Sequence, residues 1–138
     1  MKLLTFQAER FAWKSFSKTI PEATDAEVDE EMTEAVVVFL HAEAKDAEPE
    51  EKKRVFKHTL KHVKWLANKR DLKNVALHSF THLGADNAPP EFAQGFLAEL
   101  SERLASTGYR VKTTPFGWFC SWELAVYGDS LAKVWKEV

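Results

Sequence analysis

The sequence predicts a single α/β domain that spans residues 1–138 and contains a mixed β-sheet and two main helices. A chain of 138 residues is long enough for one domain with its own core and too short for two ordinary ones. Its middle part alternates short apolar segments with two long amphipathic segments, as strands alternate with helices in α/β domains. Strand-like segments at both ends of the chain add hairpins, so the predicted sheet is mixed rather than purely parallel.

The N-terminal third predicts three strands and a loop. Residues 2–7 are short and mostly apolar, which indicates a buried strand, and the alternation in residues 10–16 indicates a second one. Residues 21–34 are acidic, lack aromatic side chains and contain Pro21, so we expect a loop. Residues 35–42 are dominated by β-branched and apolar side chains, which predicts a central strand covered on both faces.

Two segments have the periodicity of amphipathic helices. Residues 48–68 begin with Pro49 among glutamates, which suit the first turn of a helix and its positive dipole end. Residues 88–106 begin with two prolines, and Gly108 is placed to end that helix in the left-handed conformation. Both segments carry apolar side chains at spacings of three and four residues.

The remaining segments complete the predicted sheet. Residues 74–79 return to strand character between the two helices. Residues 109–113 and 118–127 read as two strands joined by a turn at Pro115, Phe116 and Gly117. The amphipathic tail, residues 130–138, predicts a short terminal helix.

Charge is segregated along the chain although the net charge is only −2. Residues 22–51 hold twelve acidic side chains and one lysine, whereas residues 52–73 hold nine Lys and Arg and one aspartate. The overall balance argues against a general nucleic-acid binder. Four lysines lie on one stripe of the first predicted helix: Lys53, Lys57, Lys61 and Lys64. This stripe is either a contact face for an anion or an ordinary solvated helix face.

Several classes of protein are excluded or disfavoured. No apolar run approaches the roughly 20 residues of a membrane-spanning helix, and no secretory signal is visible, so we expect a cytoplasmic protein without a membrane partner. Cys120 is the single cysteine, so no internal disulfide can form. The Gly-rich phosphate loop, the G-x-S-x-G elbow and the H-E-x-x-H motif are absent.

Histidines and Cys120 are the remaining candidates for chemistry. His58 and His62 lie four residues apart and could chelate a metal, but the surrounding lysines favour a solvated basic face. His78 and His82 lie at the end of a predicted strand, where ligands usually bind in open α/β sheets, or they bond to loop carbonyls. Ser79 has no evident orienting acid, so a serine nucleophile is disfavoured. Lone strand cysteines such as Cys120 are more often buried than reactive.

Three segments resemble the archaeal-type N-terminal editing domain of threonyl-tRNA synthetase, whose fold is similar to that of D-aminoacyl-tRNA deacylases. They are the opening KLLTFQAERFAW, the segment NVALHSFTHLGA and the C-terminal GYRVKTTPFGWFCSWELAVYGDSLAKV. The most specific motifs are F-x-H-L at residues 80–83 and P-F-G-aromatic at residues 115–118. The resemblance covers nearly the whole chain and no other synthetase domain, so we expect a stand-alone protein.

The resemblance implies trans-editing, in which the ester of serine wrongly attached to threonine tRNA is hydrolysed. It implies that hydrolysis uses backbone groups of the pocket, the terminal ribose hydroxyl and an ordered water, without a cofactor or a metal ion. The expected partner is mischarged tRNA, and no DNA. A homodimer is also expected, because relatives of this fold form homodimers and dimerisation would cover an exposed edge strand. The lysine stripe is the candidate tRNA-binding face.

Site residues follow from the resemblance, position by position. His82 and Cys120 are the expected catalytic residues. The expected substrate-binding residues are Leu4, Thr5, Gln7, Glu9, Pro115, Phe116, Gly117, Phe119 and Lys133. Five positions depart from the family pattern: Cys120 replaces a lysine, Gln7 a histidine, Glu9 an aspartate, Phe119 a tyrosine and Lys133 a glutamate. Because these changes fall on the pocket, the alternatives are an inactive or repurposed module that senses a small amino acid or nucleotide, and an interaction protein without a pocket.

Overall fold

A curled six-stranded sheet organises the computed structural model, which describes residues 1–138. The strands are β1 (Lys2–Lys18), β2 (Asp29–His41), β3 (Asn74–Ser79), β4 (Arg110–Thr113), β5 (Trp118–Val126) and β6 (Lys133–Glu137). The helices are α1 (Pro49–Asn68) and α2 (Pro90–Ser106), with short 3-10 turns at Ala44–Ala47 and Ser130–Ala132. Neither helix has an apolar stretch long enough to cross a lipid bilayer.

The strand order places both helices on one face of the sheet. The order is β4-β3-β2-β1-β5, and β6 pairs with the first part of β1 beside β5. Pairs β2–β3 and β3–β4 are parallel, and the other pairs are antiparallel. The helices connect β2 to β3 and β3 to β4, so both crossovers step in the same direction. Two right-handed crossovers of this kind put both helices on the same side.

Two apolar clusters cover the two faces of the central strand. On the helix side, Val36, Val38 and Leu40 of β2 pack with buried side chains of α1 and α2. On the other side, Val37 and Phe39 pack with Phe11, Trp13 and their neighbours inside the curl of the sheet. The prediction of a central strand covered on both faces is therefore confirmed. Curling is what buries the second face, because no helix lies over it.

The two strands predicted at residues 2–7 and 10–16 are one long strand, β1. Its partner β5 shifts register between Ala8 and Arg10 and again between Ser15 and Ser17. Such bulges bend a strand while hydrogen bonding continues on either side. The bulge between Ala8 and Arg10 also changes which residues of β1 face the apolar cluster inside the curl, called the second core below. Leu4 and Phe6 face it before the bulge, and Phe11 and Trp13 face it after the bulge.

Two further expectations are wrong. The loop predicted over residues 21–34 ends early, because Asp29 to Thr33 pair with Arg10 to Lys14 of β1 and Arg10 forms an ion pair with Glu31. The tail predicted as a helix is a 3-10 turn followed by β6. Lys133 to Glu137 pair with Lys2 to Phe6, which offer an open strand edge beyond the end of β5. Edge pairing outweighs helical periodicity in so short a segment, since isolated short helices are marginal.

Candidate functional site

A cavity of about 340 Å³ lies beyond the carboxyl end of β3. Its walls come from the loop after β3, the start of α2, the turn before β5 and the first half of β5. The lining residues are Thr19, Ile20, Ala42, His78, Ser79, Phe80, Thr81, His82, Asn87, Ala88, Pro90, Ala93, Pro115, Phe116, Gly117, Trp118, Phe119, Cys120 and Trp122. This is the place where open α/β sheets bind ligands.

The cavity contains no carboxylate, ammonium or guanidinium group, since no Asp, Glu, Lys or Arg is among its lining residues. Aromatic rings form much of the wall. Its polar side-chain groups are hydroxyls, imidazoles, indole N–H groups, one amide and one thiol. A ligand in this cavity therefore meets hydrogen-bonding groups but no compensating formal charge.

The structure brings six of the predicted site residues together around this cavity. They are His82 and Cys120, expected to be catalytic, and Pro115, Phe116, Gly117 and Phe119, expected to bind substrate. The remaining five, Leu4, Thr5, Gln7, Glu9 and Lys133, do not line it.

Thr5 and Gln7 connect β1 to α1 rather than facing the cavity. The Gln7 amide donates to the carbonyl of Leu66 at 2.8 Å and accepts from Arg70 at 3.1 Å. The Thr5 hydroxyl donates to the carbonyl of Val134 at 2.9 Å and contacts Nε2 of His62 at 3.0 Å. Both side chains are buried, and these bonds satisfy them structurally.

The other three residues outside the cavity have separate surroundings. Leu4 packs on the opposite face of β1, at the edge of the second core. Glu9 is exposed at the bulge. Lys133 is exposed and donates to the carbonyl of Tyr127 at 2.9 Å, so its charge is directed to the turn before β6.

His82 and Cys120 have different chemical settings. His82 is exposed, and its ring stands edge-on to Phe80 with the ring centroids 5.1 Å apart. Cys120 is half-buried, and burial raises the pKa of its thiol. The thiol is therefore protonated near neutral pH and behaves as a small apolar group with a weak donor. Ser79 also lines the cavity, but no acidic side chain there could complete a catalytic triad.

His41, which sequence reasoning missed, fixes the loop that carries His82. It lies at the end of β2, fully buried, with both ring nitrogens bonded to the loop backbone. Its Nε2 lies 2.7 Å from the carbonyl oxygen of Asp86, and its Nδ1 accepts the amide hydrogen of Leu83 at 3.1 Å. The sequence signal for this role is the position of His41: it is a polar residue at the end of a buried strand, and the carboxyl ends of the parallel strands β2 and β3 lie together.

The turn before β5 is tightly held. Gly117 has φ +79°, and a Cβ at this position would lie 2.8 Å from the Cβ of Ala23. Its carbonyl accepts the amide hydrogens of Thr19 at 2.7 Å and Ile20 at 3.3 Å. Only glycine adopts this conformation at no steric cost, so the P-F-G motif forms a firm cavity wall.

The lysine stripe lies on α1 as predicted, with Lys53, Lys57 and Lys61 exposed and Lys64 partly buried. The exposed Trp65 lies beside it, and Lys69 stands 6.0 Å from the ring centroid. His58 is exposed whereas His62 is buried against Thr5. No group of three or more His, Cys, Asp or Glu residues is arranged to hold a metal ion.

Comparison with known proteins gives consistent matches over the whole chain. A profile of the family described as the archaea-specific editing domain of threonyl-tRNA synthetase matches residues 1–138. Threonine–tRNA ligase of Hyperthermus butylicus is 31% identical over 97% of this chain, and that of Methanosphaerula palustris is 30% identical over 100% of it. The chain spans 22% of the length of each of these relatives.

A solved structure agrees with the fold. The protein named c-Myc DNA Unwinding Element Binding Protein superposes with a TM-score of 0.72 at 16% sequence identity, covering 100% of this chain and 99% of that one. The prediction of one compact α/β domain with a mixed sheet, two main helices and a D-aminoacyl-tRNA deacylase-like fold is confirmed. On the family match over all 138 residues, the chain belongs to the archaea-specific editing domains of threonyl-tRNA synthetase.

Proposed function

We propose that this chain is an aminoacyl-tRNA deacylase that hydrolyses the ester of a small amino acid on mischarged tRNA. Seryl-tRNA(Thr) is the first candidate substrate, by membership of the family. The observation that carries the proposal is the uncharged cavity at the end of β3, which joins His82, Cys120 and the Pro115–Gly117 turn in one site.

The absence of lysine and arginine separates an aminoacyl ester, which has an α-ammonium but no anionic group at its acyl end, from the competing anionic ligands. A free amino acid would bring a carboxylate, and a nucleotide a phosphate, into a cavity that offers neither lysine nor arginine. Burying an unpaired anion is strongly unfavourable. An aminoacyl ester has no carboxylate, and the phosphates of its tRNA stay outside. The cavity volume of about 340 Å³ lies at the small end of ligand sites, which suits a small acyl group.

The proposed reaction needs no covalent intermediate. Water adds to the ester carbonyl carbon, the bond to the ribose oxygen breaks, and that oxygen receives a proton. The products are the free amino acid and uncharged tRNA. His82 at the exposed rim accepts the proton of the water and returns it to the leaving oxygen. The neutral thiol of Cys120 contributes to the shape of the cavity rather than a charge.

The tRNA itself is proposed to lie against the lysine stripe of α1. Exposed lysines bind phosphates without reading sequence, and the neighbouring Trp65 offers an aromatic surface. We expect Lys57→Glu to weaken binding of all tRNAs and to lower the slope of log affinity against log salt by about one. Lys112→Glu, an equal charge change at an exposed position of β4, is the matched control. Equal effects of the two variants would contradict this assignment.

The decisive experiment is a deacylation panel with the charged tRNAs supplied in solution, which also tests action in trans. Wild type, His82→Ala and Cys120→Lys are incubated with seryl-tRNA(Thr), threonyl-tRNA(Thr) and D-aminoacyl-tRNAs. We expect wild type to release a small amino acid and His82→Ala to lose about 10²–10⁴-fold in rate. A gain on seryl-tRNA(Thr) in Cys120→Lys would show that the natural chain has shifted specificity. Saturable binding with no cleavage by any of the three proteins would favour the sensing module.

A homodimer is proposed on the exposed aromatic side chains. Phe16 is 79% exposed and Phe119 is 55% exposed, on neighbouring segments of β1 and β5. Exposed aromatics of this size are typical of interfaces. Sedimentation equilibrium should give twice the mass of one chain for wild type and one chain for Phe16→Ser. A wild-type mass of one chain would contradict the proposal.

A further inference from the structure

His78 presents one free ring nitrogen to the cavity. The side chain is only 5% exposed, and its Nδ1 lies 2.7 Å from the hydroxyl oxygen of Thr114. Its Nε2 has no protein partner. Two side-chain atoms of the chain have neither solvent contact nor a hydrogen bond, Trp13 Nε1 and Thr59 Oγ1, and Nε2 of His78 is not one of them. Nε2 of His78 is therefore not sealed from solvent, and because His78 lines the cavity, the cavity is the route by which a ligand would reach it.

The Thr114 hydroxyl fixes which ring nitrogen carries the proton. Thr114 is 4% exposed, does not line the cavity, and has Nδ1 of His78 as the single hydrogen-bond partner of its hydroxyl. If Nδ1 carried the proton, the hydroxyl would accept it and its own hydrogen would be buried unpaired, which is unfavourable. The hydroxyl therefore donates to Nδ1, and a neutral imidazole then carries its proton on Nε2.

The surroundings keep the ring neutral and oriented. Burial lowers the pKa of His78 to about 4, so the imidazole is uncharged at neutral pH. Phe39 and Trp122 stand edge-on to the ring, with centroids 5.1 Å and 6.1 Å away. Thr114 is itself anchored, because its amide donates to the carbonyl of Leu77 at 3.0 Å.

We propose that His78 contacts the substrate by donating a hydrogen bond from Nε2–H to the carbonyl oxygen of the bound acyl ester, with Thr114 as the positioning residue that sets its tautomer. This assignment rests on the proposed function and deepens it. When water adds to the carbonyl carbon, that oxygen gains negative charge, so the bond strengthens in the transition state. A donor that is already oriented and uncharged stabilises the developing oxyanion without attracting free carboxylates from solution.

The test reads the tautomer directly and does not require turnover. Long-range ¹⁵N–¹H spectra of the full chain distinguish an Nε2–H from an Nδ1–H imidazole, and His78→Phe assigns the signal. L-Serine methyl ester, observed at pH 7 and low temperature, is the ligand probe. We expect Nε2–H in the free protein and a ligand-dependent shift centred on Nε2. An Nδ1–H signal, or saturation by the probe without a change at Nε2, would overturn the proposal even if the chain hydrolyses tRNA esters.

Variants of Thr114 separate positioning from folding. Thr114→Val removes the hydroxyl at nearly constant shape, Thr114→Ser restores it, and Thr113→Val is the matched control on exposed β4. We expect Thr114→Val to lose the single Nε2–H tautomer and to lower kcat about tenfold with little change in KM, and Thr114→Ser to recover both. We expect His78→Phe to lower kcat about 10²–10³-fold, as for other oxyanion donors. Wild-type tautomer in Thr114→Val, or wild-type kcat in folded His78→Phe, would overturn the assignment.

Discussion

Protonation of His78 should make the fold sensitive to mild acid. Burial lowers the pKa of His78 from 6.5 to about 4. Between these two pH values the unfolded chain binds a proton that the folded chain excludes, so the free energy of unfolding falls as the pH falls. The contribution is fully present above pH 6.5 and is lost progressively towards pH 4. Each pKa unit corresponds to about 1.4 kcal/mol, so the loss should be about 3 kcal/mol.

The assay is urea denaturation at several pH values between 7 and 4, followed by the fluorescence of the five tryptophans. His78→Phe keeps an aromatic ring beside Phe39 and Trp122 but cannot titrate, so its stability should be about 3 kcal/mol less sensitive to pH over this range. His58→Phe, at an exposed position of α1, should keep the wild-type dependence. Parallel curves for wild type and His78→Phe would refute the reasoning.

Glu43 is expected to titrate at lower pH, and its titration does not affect the comparison of wild type with His78→Phe. Burial opposes ionisation of Glu43, but hydrogen bonds from Lys2 and the Met1 ammonium outweigh it and lower the pKa to about 2. The contribution of this carboxylate is present above its ordinary pKa of 4.5 and is lost as the pH falls towards 2. It is common to wild type and His78→Phe, so it cancels in their difference.

Three substitutions test the local structure by urea denaturation. Gly117→Ala should cost about 1–3 kcal/mol, because φ is +79° and the new Cβ would meet Ala23 at 2.8 Å. Gly95→Ala should instead stabilise by about 1 kcal/mol, since this glycine lies inside α2 with nothing within 4 Å of the new Cβ. Thr59→Val should stabilise by about 1 kcal/mol or more, because it removes a buried hydroxyl without a partner, and Thr59→Ser should not. The same sign for both glycines, or a less stable Thr59→Val, would contradict these expectations.

The parts of the fold that sequence predicted well are those specified by local pattern. Helices α1 and α2 match the predicted segments to within two residues, because each starts at a proline and carries apolar side chains at helical spacing, and Gly108, with φ +99°, follows the end of α2. The strand at Val36–Leu40 was predicted from an unbroken apolar run. The continuity of β1 and the existence of β6 depend instead on pairing between distant residues, such as Leu3 with Lys136. No local window contains that information.

The candidate site also contains residues whose positions could be predicted from the sequence and residues whose positions depend on distant parts of the chain. His82 was expected at the end of β3 from strand position, whereas Cys120 and the Pro115–Gly117 turn were expected at the same site from the family resemblance; all of them line one cavity. The side of β1 on which Thr5 and Gln7 lie depends on strand parity, and a shift of one residue reverses every side chain. Since both faces of β1 are apolar, the sequence contains no strong signal for parity. The role of Thr114 could not be predicted either, because it depends on a contact with His78, 36 residues earlier in the chain.

Rigidity of the Pro115–Gly117 turn would decide which ester the cavity accepts. Serine and threonine differ by one methyl group, and a preference based on filling space is worth only about 1–3 kcal/mol. A wall that cannot move rejects the larger group by overlap instead, which is a stronger discrimination than lost contact. Gly117 packs against Ala23, and its carbonyl is held by two backbone amides, so this wall has little room to yield. The proposed function thus assigns discrimination and catalysis to different elements: the turn would exclude the larger acyl group, while His78 and His82 would act on the ester that fits.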